Sequence, residues 1–217
     1  MTIHNSQFTV NKVQERALLL LLILFSMTLS AQDFSADRDL FDAYRQENMA
    51  VWQEYIESLQ PSAVSSQTLL YEYGYCGYIV AEAKKEGKEA LMPEAKRYVQ
   101  QFREHVEAAK GKLPAGHYEM YMSAVMVYEL RLHVAMRPIK AMNLAKEATK
   151  LAPEDPLVLS YYGTSLFYAP KPFGSKSEAL TWFEKAATYF KDPKWEYCWV
   201  REANEMYIRQ CHDKLKK

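Results

Sequence analysis

The sequence predicts an all-α protein built from antiparallel helix pairs. Apolar and small residues recur at helical spacing through residues 156–193, which indicates two helices joined by an irregular turn. The 217 residues include only 7 glycines, fewer than a sandwich or barrel with many tight turns would use. No stretch alternates convincingly between apolar and polar residues, so we predict no sheet.

The N-terminus predicts an export signal over residues 1–31. Lys12 and Arg16 precede an apolar stretch, residues 17–29, and the small residue Ala31 follows. These 13 residues fall short of the roughly 20 that a membrane-spanning helix needs. We therefore expect cleavage near Ala31 rather than a retained anchor, which is the alternative. The chain is then exported to the periplasm of a Gram-negative cell and keeps no stable membrane span.

Composition and charge exclude several classes of protein. Hydrophobic residues make up 49% and charged residues 25%, a balance that argues against disorder. Lys+Arg and Asp+Glu both number 27, so no basic excess points to nucleic acid as a partner. The three cysteines are too few for a disulfide framework. Cys198 and Cys211 lie about 20 Å apart on one predicted helix. Cys76 could bridge to either, but we expect all three to be small buried hydrophobic residues.

The first two predicted helices cover residues 37–59 and 67–85. Apolar residues keep helical spacing through six turns of the first helix, and Ser35 is its expected N-cap. The second helix contains Gly74 and Gly77, each costing about 1 kcal/mol relative to alanine. That cost predicts close packing of another helix against both glycines.

Six further helices follow in order. The third comes after Gly87 and ends at Ala109, the fourth carries Tyr118 to Leu132, and the fifth begins at Pro138. We expect Ile139 and Leu151 of the fifth helix to point inward. The sixth and seventh helices lie in residues 156–193, and the eighth runs from Trp195 to about Leu215.

Two of these units share a pattern of large and small residues. Ala141, Ala145 and Ala148 have the same spacing as Ala179, Phe183 and Ala186, and Leu159, Tyr162, Gly163 and Leu166 precede the second set. The pattern resembles the tetratricopeptide repeat (TPR). The resemblance implies a right-handed superhelix of antiparallel helix hairpins with about eight helices over residues 32–217. Degenerate repeats then fall at about 67–115, 116–153 and 156–193, between capping helices at 37–59 and 194–215.

The turn at residues 168–175 adds to this resemblance. Its sequence, YAPKPFGS, is similar to that of exported helical-repeat proteins of the Bacteroidetes type. More distantly, it is similar to the TPR-type periplasmic components of TRAP transporters. The first resemblance implies the fold and the compartment, and the second implies an apolar cavity for a small ligand.

The sequence contains no recognisable catalytic or metal-binding motif. His105, His117, His133 and His212 are not paired at spacings of three or four residues, so we expect no metal site and no cofactor. We also expect no catalytic residues, which makes the chain a non-enzyme. The alternative is a helical enzyme whose carboxylates face one another across a groove. The candidates for that role are Glu54, Glu57, Glu94, Glu119 and Glu129.

Aromatic side chains suggest the main functional hypothesis. The tyrosines of the second helix cover most of its circumference, so they cannot all face one core. We hypothesise a periplasmic scaffold for protein–protein interaction that holds a protein or peptide partner in a concave groove. The expected contacts are Tyr71, Tyr75, Tyr121, Tyr128 and Tyr161. A small ligand in an apolar cavity is the alternative, and plain core packing would also explain these tyrosines.

Overall fold

The computed structural model describes Phe34, residues 37–59 and residues 64–216, so the predicted signal peptide lies outside the described residues. Every regular element in this part of the chain is a helix, which confirms the prediction of an all-α protein without strands. None of the described helices is long and apolar enough to cross a membrane.

Nine α-helices follow one another in the described residues. Short 3₁₀ helices at Glu89–Leu91 and Pro193–Trp195 precede the fourth and the ninth of them. The α-helices are α1 Arg38–Arg45, α2 Met49–Ser58, α3 Ser66–Glu82, α4 Met92–Ala108, α5 His117–Arg131, α6 Pro138–Leu151, α7 Pro156–Tyr168, α8 Lys176–Tyr189 and α9 Trp199–Leu215.

The prediction of one continuous helix over residues 37–59 is wrong. The chain breaks between α1 and α2, where Glu47 adopts a φ of 55°, a conformation that ends a helix. The break folds α2 back on α1, and the indole N–H of Trp52 donates to the carbonyl oxygen of Leu40 at 2.8 Å. Apolar spacing continues across the break because both short helices bury residues in the same core.

Stacked helix pairs form two layers. The first helices (α3, α5, α7 and α9) pack side by side, and the second helices (α4, α6 and α8) pack between successive first helices. Neighbouring first helices run parallel: Ser66 at the start of α3 contacts His117 at the start of α5, and Tyr73 further along α3 contacts Tyr128. This order of packing is what stacked hairpins produce, while the superhelical twist stays a prediction.

Glycines allow the close helix contacts that the sequence predicts. A side chain at Gly163 on α7 would begin 2.8 Å from the ring of Phe183 on α8. A side chain at Gly74 would begin 2.5 Å from the Trp52 ring, and one at Gly77 would begin 2.9 Å from the hydroxyl of Tyr128. The packing of neighbouring aromatic rings therefore offsets the helix cost of all three glycines.

Several further predictions can be compared with the side chains. Cys76, Cys198 and Cys211 are buried free thiols, as expected. Burial raises the pKa of Cys198 to about 12, so this thiol stays protonated. Ile139 and Leu151 do not point inward but are 66% and 46% exposed. They lie in the first turn and at the last residue of α6, where fewer neighbours cover a side chain.

The N-terminal hairpin α1–α2 contacts the last helix as well as the first repeat. The Trp52 ring lies 5.1 Å from the ring of Tyr71 on α3 and 5.5 Å from that of Trp199 on α9. Phe34 packs 5.5 Å from Trp195, just before α9. The hairpin therefore lies over the side of the first helices and connects the first repeat with the start of the last helix.

Candidate ligand-binding site

A cavity of about 140 Å³ lies where Tyr44 of α1 meets the first helices. All four first helices contribute to its wall, and the cavity is partly open to solvent. The lining residues are Tyr44, Leu70, Tyr73, Met120, Leu157, Ser160, Tyr161, Thr164, Trp199, Val200, Ala203, Met206 and Tyr207.

Five of the thirteen lining residues are aromatic. Tyr73 is the central ring, 5.7 Å from Tyr161 in an edge-to-face arrangement and 5.8 Å from Trp199. Tyr44 from the N-terminal hairpin lies 5.6 Å from Trp199 and closes one side. Edge-to-face and tilted contacts of this kind hold aromatic rings in fixed positions, which gives the cavity a defined shape.

One polar group of the lining lacks a partner. The indole Nε1 of Trp199 is buried and makes no hydrogen bond to any described residue. By contrast, Tyr161 donates to the hydroxyl of Ser123 at 2.9 Å, and Thr164 donates to the carbonyl of Ser160 at 3.0 Å. An unpaired buried donor costs about 1–3 kcal/mol, so a ligand that brings an acceptor to Trp199 would recover that energy.

The tyrosines that line the cavity are neutral at physiological pH. Burial raises the pKa of Tyr161 to about 12, although its contacts with Ser123 and Ser165 oppose the rise. Burial also raises the pKa of Tyr73 and of Tyr207. Among the described residues, no Asp, Glu, Lys, Arg or His lines the cavity. The lining therefore suits a neutral ligand.

The five tyrosines predicted as partner contacts are all buried. Tyr161 is the one that lines the cavity. The hydroxyls of three others are used within the protein: Tyr71 donates to Asp37, Tyr121 to the Ser66 carbonyl and Tyr128 to the Tyr73 carbonyl. Tyr75 packs 4.9 Å from Tyr98 on α4. Core packing accounts for these four in this structure, and their contact with a partner stays a prediction.

The most important lining residues were not among the predicted contacts. Tyr73 and Trp199 belong to aromatic clusters that are visible in the sequence, at residues 71–78 and 195–199. The spacing within one helix does not show which of its rings will meet a ring from a distant helix. Tyr44 fits the helical spacing of residues 37–59 but carried no signal of a binding role, because its place at the cavity depends on the break after α1.

A buried polar chain connects the starts of three first helices. Ser66 Oγ lies 2.5 Å from His117 Nδ1, and His117 Nε2 lies 2.9 Å from a carboxylate oxygen of Asp155. Asp155 also caps α7 by accepting from the backbone N–H groups of Leu157 and Val158. Sequence spacing could not reveal this cluster, since its members are separated by 51 and 38 residues.

Serine, histidine and aspartate in a row are also the components of a hydrolytic triad. Here His117 is 0% exposed and Ser66 7% exposed, and neither lines the cavity. A substrate carbonyl would have to reach the Ser66 hydroxyl, and the packed helices leave no room for one. The arrangement therefore acts as a polar contact between repeats.

Two of the candidate carboxylates have partners other than a second acid. Glu129 pairs with Arg103 at 2.7 Å, and Glu57 accepts a hydrogen bond from Tyr98. That hydrogen bond, together with those from Gln53 and Arg97, lowers the pKa of Glu57, the opposite of what a general acid needs. The described His, Cys, Asp and Glu residues also form no group of three or more that could hold a metal ion.

Comparison with models of protein families, with curated proteins and with solved structures gives no match for this chain. Its own geometry is therefore the basis for a functional proposal.

Proposed function

We propose that this chain is a non-catalytic, TPR-like binding protein that holds a small neutral ligand between its first helices. The observation that carries the proposal is the cavity whose wall includes Trp199, a residue with a buried and unpaired indole N–H. The ligand is apolar over most of its surface and carries one hydrogen-bond acceptor. Export to the periplasm is part of the proposal and is supported by the sequence of residues 1–31.

The size of the cavity limits the ligand. An apolar protein cavity of about 150 Å³ holds a benzene molecule, whereas pockets for drug-sized ligands reach about 300–1,000 Å³. The 140 Å³ here therefore fits one aromatic ring or a short branched aliphatic group. A peptide segment would not fit inside it.

Two probes of nearly the same shape test the role of Trp199. Anisole carries an ether oxygen that accepts a hydrogen bond, and ethylbenzene does not. We expect both to raise the thermal unfolding midpoint and anisole to bind about tenfold more tightly, the effect of about 1.4 kcal/mol from one hydrogen bond. Trp199→Phe should remove the difference between the probes, while Trp182→Phe on α8, outside the cavity, should preserve it.

Failure of both probes to bind the wild-type chain, measured by calorimetry and by thermal unfolding, would rule out the small-ligand proposal. Equal affinities for the two probes would rule out the role of the Trp199 indole and leave an apolar cavity without a polar anchor.

A protein partner is the second candidate, because the cavity is partly open and one inserted aromatic side chain would fill it. In that case, crosslinking in the native envelope recovers one partner protein in stoichiometric amount. Filling the cavity by Ala203→Leu should then abolish the crosslink. An unchanged crosslink in that variant would place the partner elsewhere on the protein.

A further inference from the structure

One edge of the helix stack has an unusual surface. The turns α3–α4, α5–α6 and α7–α8 and the end of α9 make up this turn edge, which we define as residues 82–91, 131–140, 168–176 and 213–216. The parallel first helices bring these segments to the same edge. Lys84 donates to His133 Nε2 at 3.2 Å between the first two turns, and Lys214 lies 4.6 Å from the Phe167 ring at the third.

Exposed apolar side chains concentrate at the turn edge. Eight large hydrophobic side chains are exposed in the described residues, and six of them belong to this edge. Met136 is 74% exposed, Tyr168 67% and Ile139 66%. Single exposed hydrophobic residues are ordinary on protein surfaces, but their concentration at one edge marks an interaction surface. The six are Val134, Met136, Ile139, Tyr168, Phe173 and Leu215.

Positive charge is also concentrated at the turn edge. The turn edge contains ten Lys or Arg residues and four Asp or Glu residues, whereas the other described residues contain fourteen and twenty-one. A chain with no net charge is thus strongly divided into a basic edge and an acidic remainder. Among the ten cations, only Lys85 lies within ion-pair distance of a described carboxylate. Nine cations therefore remain available to an outside anion.

Two of these cations lie against the same aromatic ring. The ammonium groups of Lys176 and Lys214 lie 3.8 Å and 4.6 Å from the centre of the Phe167 ring. Burial, and then the positive charge of Lys214, lower the pKa of Lys176. An anion bound between the two lysines would offset this repulsion.

We propose that the turn edge binds the surface of an anionic lipid bilayer. Exposed aromatic and aliphatic tips among lysines and arginines are the combination that suits a membrane interface, where the tips enter the headgroup region and the cations meet lipid phosphates. The exposed apolar side chains are spread over two turns and the end of α9, so a plane can contact them together. This inference does not depend on the ligand cavity.

The test uses the full-length chain with vesicles of phosphatidylglycerol mixed with phosphatidylcholine. Hydrogen exchange read by mass spectrometry locates the contact, so binding through the apolar N-terminus is distinguished from binding through the turn edge. We expect slower exchange in residues 131–140 and 168–176 and no change in residues 109–116, the turn that joins α4 to α5 at the opposite edge. Vesicles of phosphatidylcholine alone should give no protection.

Charge variants measure how much individual cations of the turn edge contribute to vesicle binding. The triple variant Arg137→Gln, Lys140→Gln, Lys171→Gln should lower the protection and the vesicle affinity about fivefold for each cation removed. Lys110→Gln with Lys112→Gln at the opposite edge is the matched control and should change neither.

Unchanged exchange at the turn edge in the presence of anionic vesicles would overturn the proposal, whatever binding the N-terminus produces. Protection of the same segments by polyglutamate, but not by vesicles, would also overturn it and would assign the edge to an acidic protein partner.

Discussion

His105 Nδ1 on α4 lies 2.7 Å from a carboxylate oxygen of Glu72 on α3, in a contact where the two side chains are only 12% and 2% exposed. The hydrogen bond to Glu72 raises the pKa of His105, although burial opposes the rise. The charged imidazolium is therefore favoured in the folded protein. The pair connects the two helices of the first repeat through charge rather than through apolar contact.

This pair predicts a stability that depends on pH. A histidine with a raised folded-state pKa contributes stability fully below its unfolded pKa of about 6.5 and loses the contribution as pH rises through the folded value. We expect the free energy of unfolding to fall as the pH rises above about 6.5. Urea unfolding at a series of pH values measures this free energy.

His105→Gln should flatten that pH dependence, and His212→Gln, at an exposed site on α9, should leave it as in the wild type. A His105→Gln variant that retains the full slope would assign the pH dependence to other groups.

Gly163 provides the second prediction. In an isolated helix, replacing glycine by alanine stabilises by about 1 kcal/mol. Here the new methyl group would lie 2.8 Å from the Phe183 ring, whose side chain is fully buried, so we expect Gly163→Ala to destabilise by about 1–3 kcal/mol. Chemical unfolding of Gly163→Ala, Phe183→Leu and the double variant forms a cycle. The double variant should lose less stability than the sum of the two single variants.

The polar chain from Ser66 through His117 to Asp155 provides the third prediction. Removing an ordinary N-cap costs about 1 kcal/mol, which is the loss expected for Ser175→Ala at the exposed start of α8. Asp155→Ala also leaves His117 without its carboxylate partner in a fully buried position. We therefore expect this variant to lose about 2–4 kcal/mol of stability. Equal losses in the two variants would show that His117 adds nothing beyond the cap.

Asp155 also predicts behaviour in acid. Burial alone would raise the pKa of Asp155, but the hydrogen bond and charge of His117, with the two backbone N–H groups, lower it below 3.8. A carboxylate with a lowered folded-state pKa stabilises the protein above its unfolded pKa and loses that effect as pH falls through the folded value. Acid unfolding of the wild-type chain should therefore shift to higher pH in Asp155→Asn, as measured by circular dichroism.

Filling the cavity provides the last prediction. Ala203 lines the cavity and is 8% exposed, and leucine at this position would occupy part of the 140 Å³. We expect Ala203→Leu to keep or raise the stability by up to about 1 kcal/mol and to abolish binding of anisole. Loss of stability together with retained binding would mean that the leucine is directed away from the cavity.

The sequence was sufficient for the helices of the repeats and for the close contact within the repeat at residues 156–193. Helical spacing located α6 and α8, because each has a buried face that repeats every three or four residues. The apolar helices α5 and α7 were also located, although both are buried on nearly all sides. The small residue Gly163 likewise indicated a close approach, which Phe183 makes. These are local features, so local patterns reveal them.

The candidate site could not be predicted in the same way. Its wall combines Tyr44, Tyr73, Tyr161 and Trp199, which belong to four different helices. Buried tyrosine and exposed tyrosine have the same spacing in the sequence, and only the packing of distant helices separates them. The break at Glu47, which brings Tyr44 to the cavity, occurs in a segment whose apolar residues keep the spacing of one continuous helix.

The contacts of Phe34 with Trp195 and of Trp52 with Trp199 also limit how the number of repeats can change in evolution. An open array of hairpins gains or loses a unit at little cost, since each unit contacts only its neighbours. Here an inserted hairpin would separate the N-terminal hairpin from α9 and take apart the wall that both contribute. The number of repeats is therefore fixed by this closure, and new specificity would arise by changing side chains rather than by duplication.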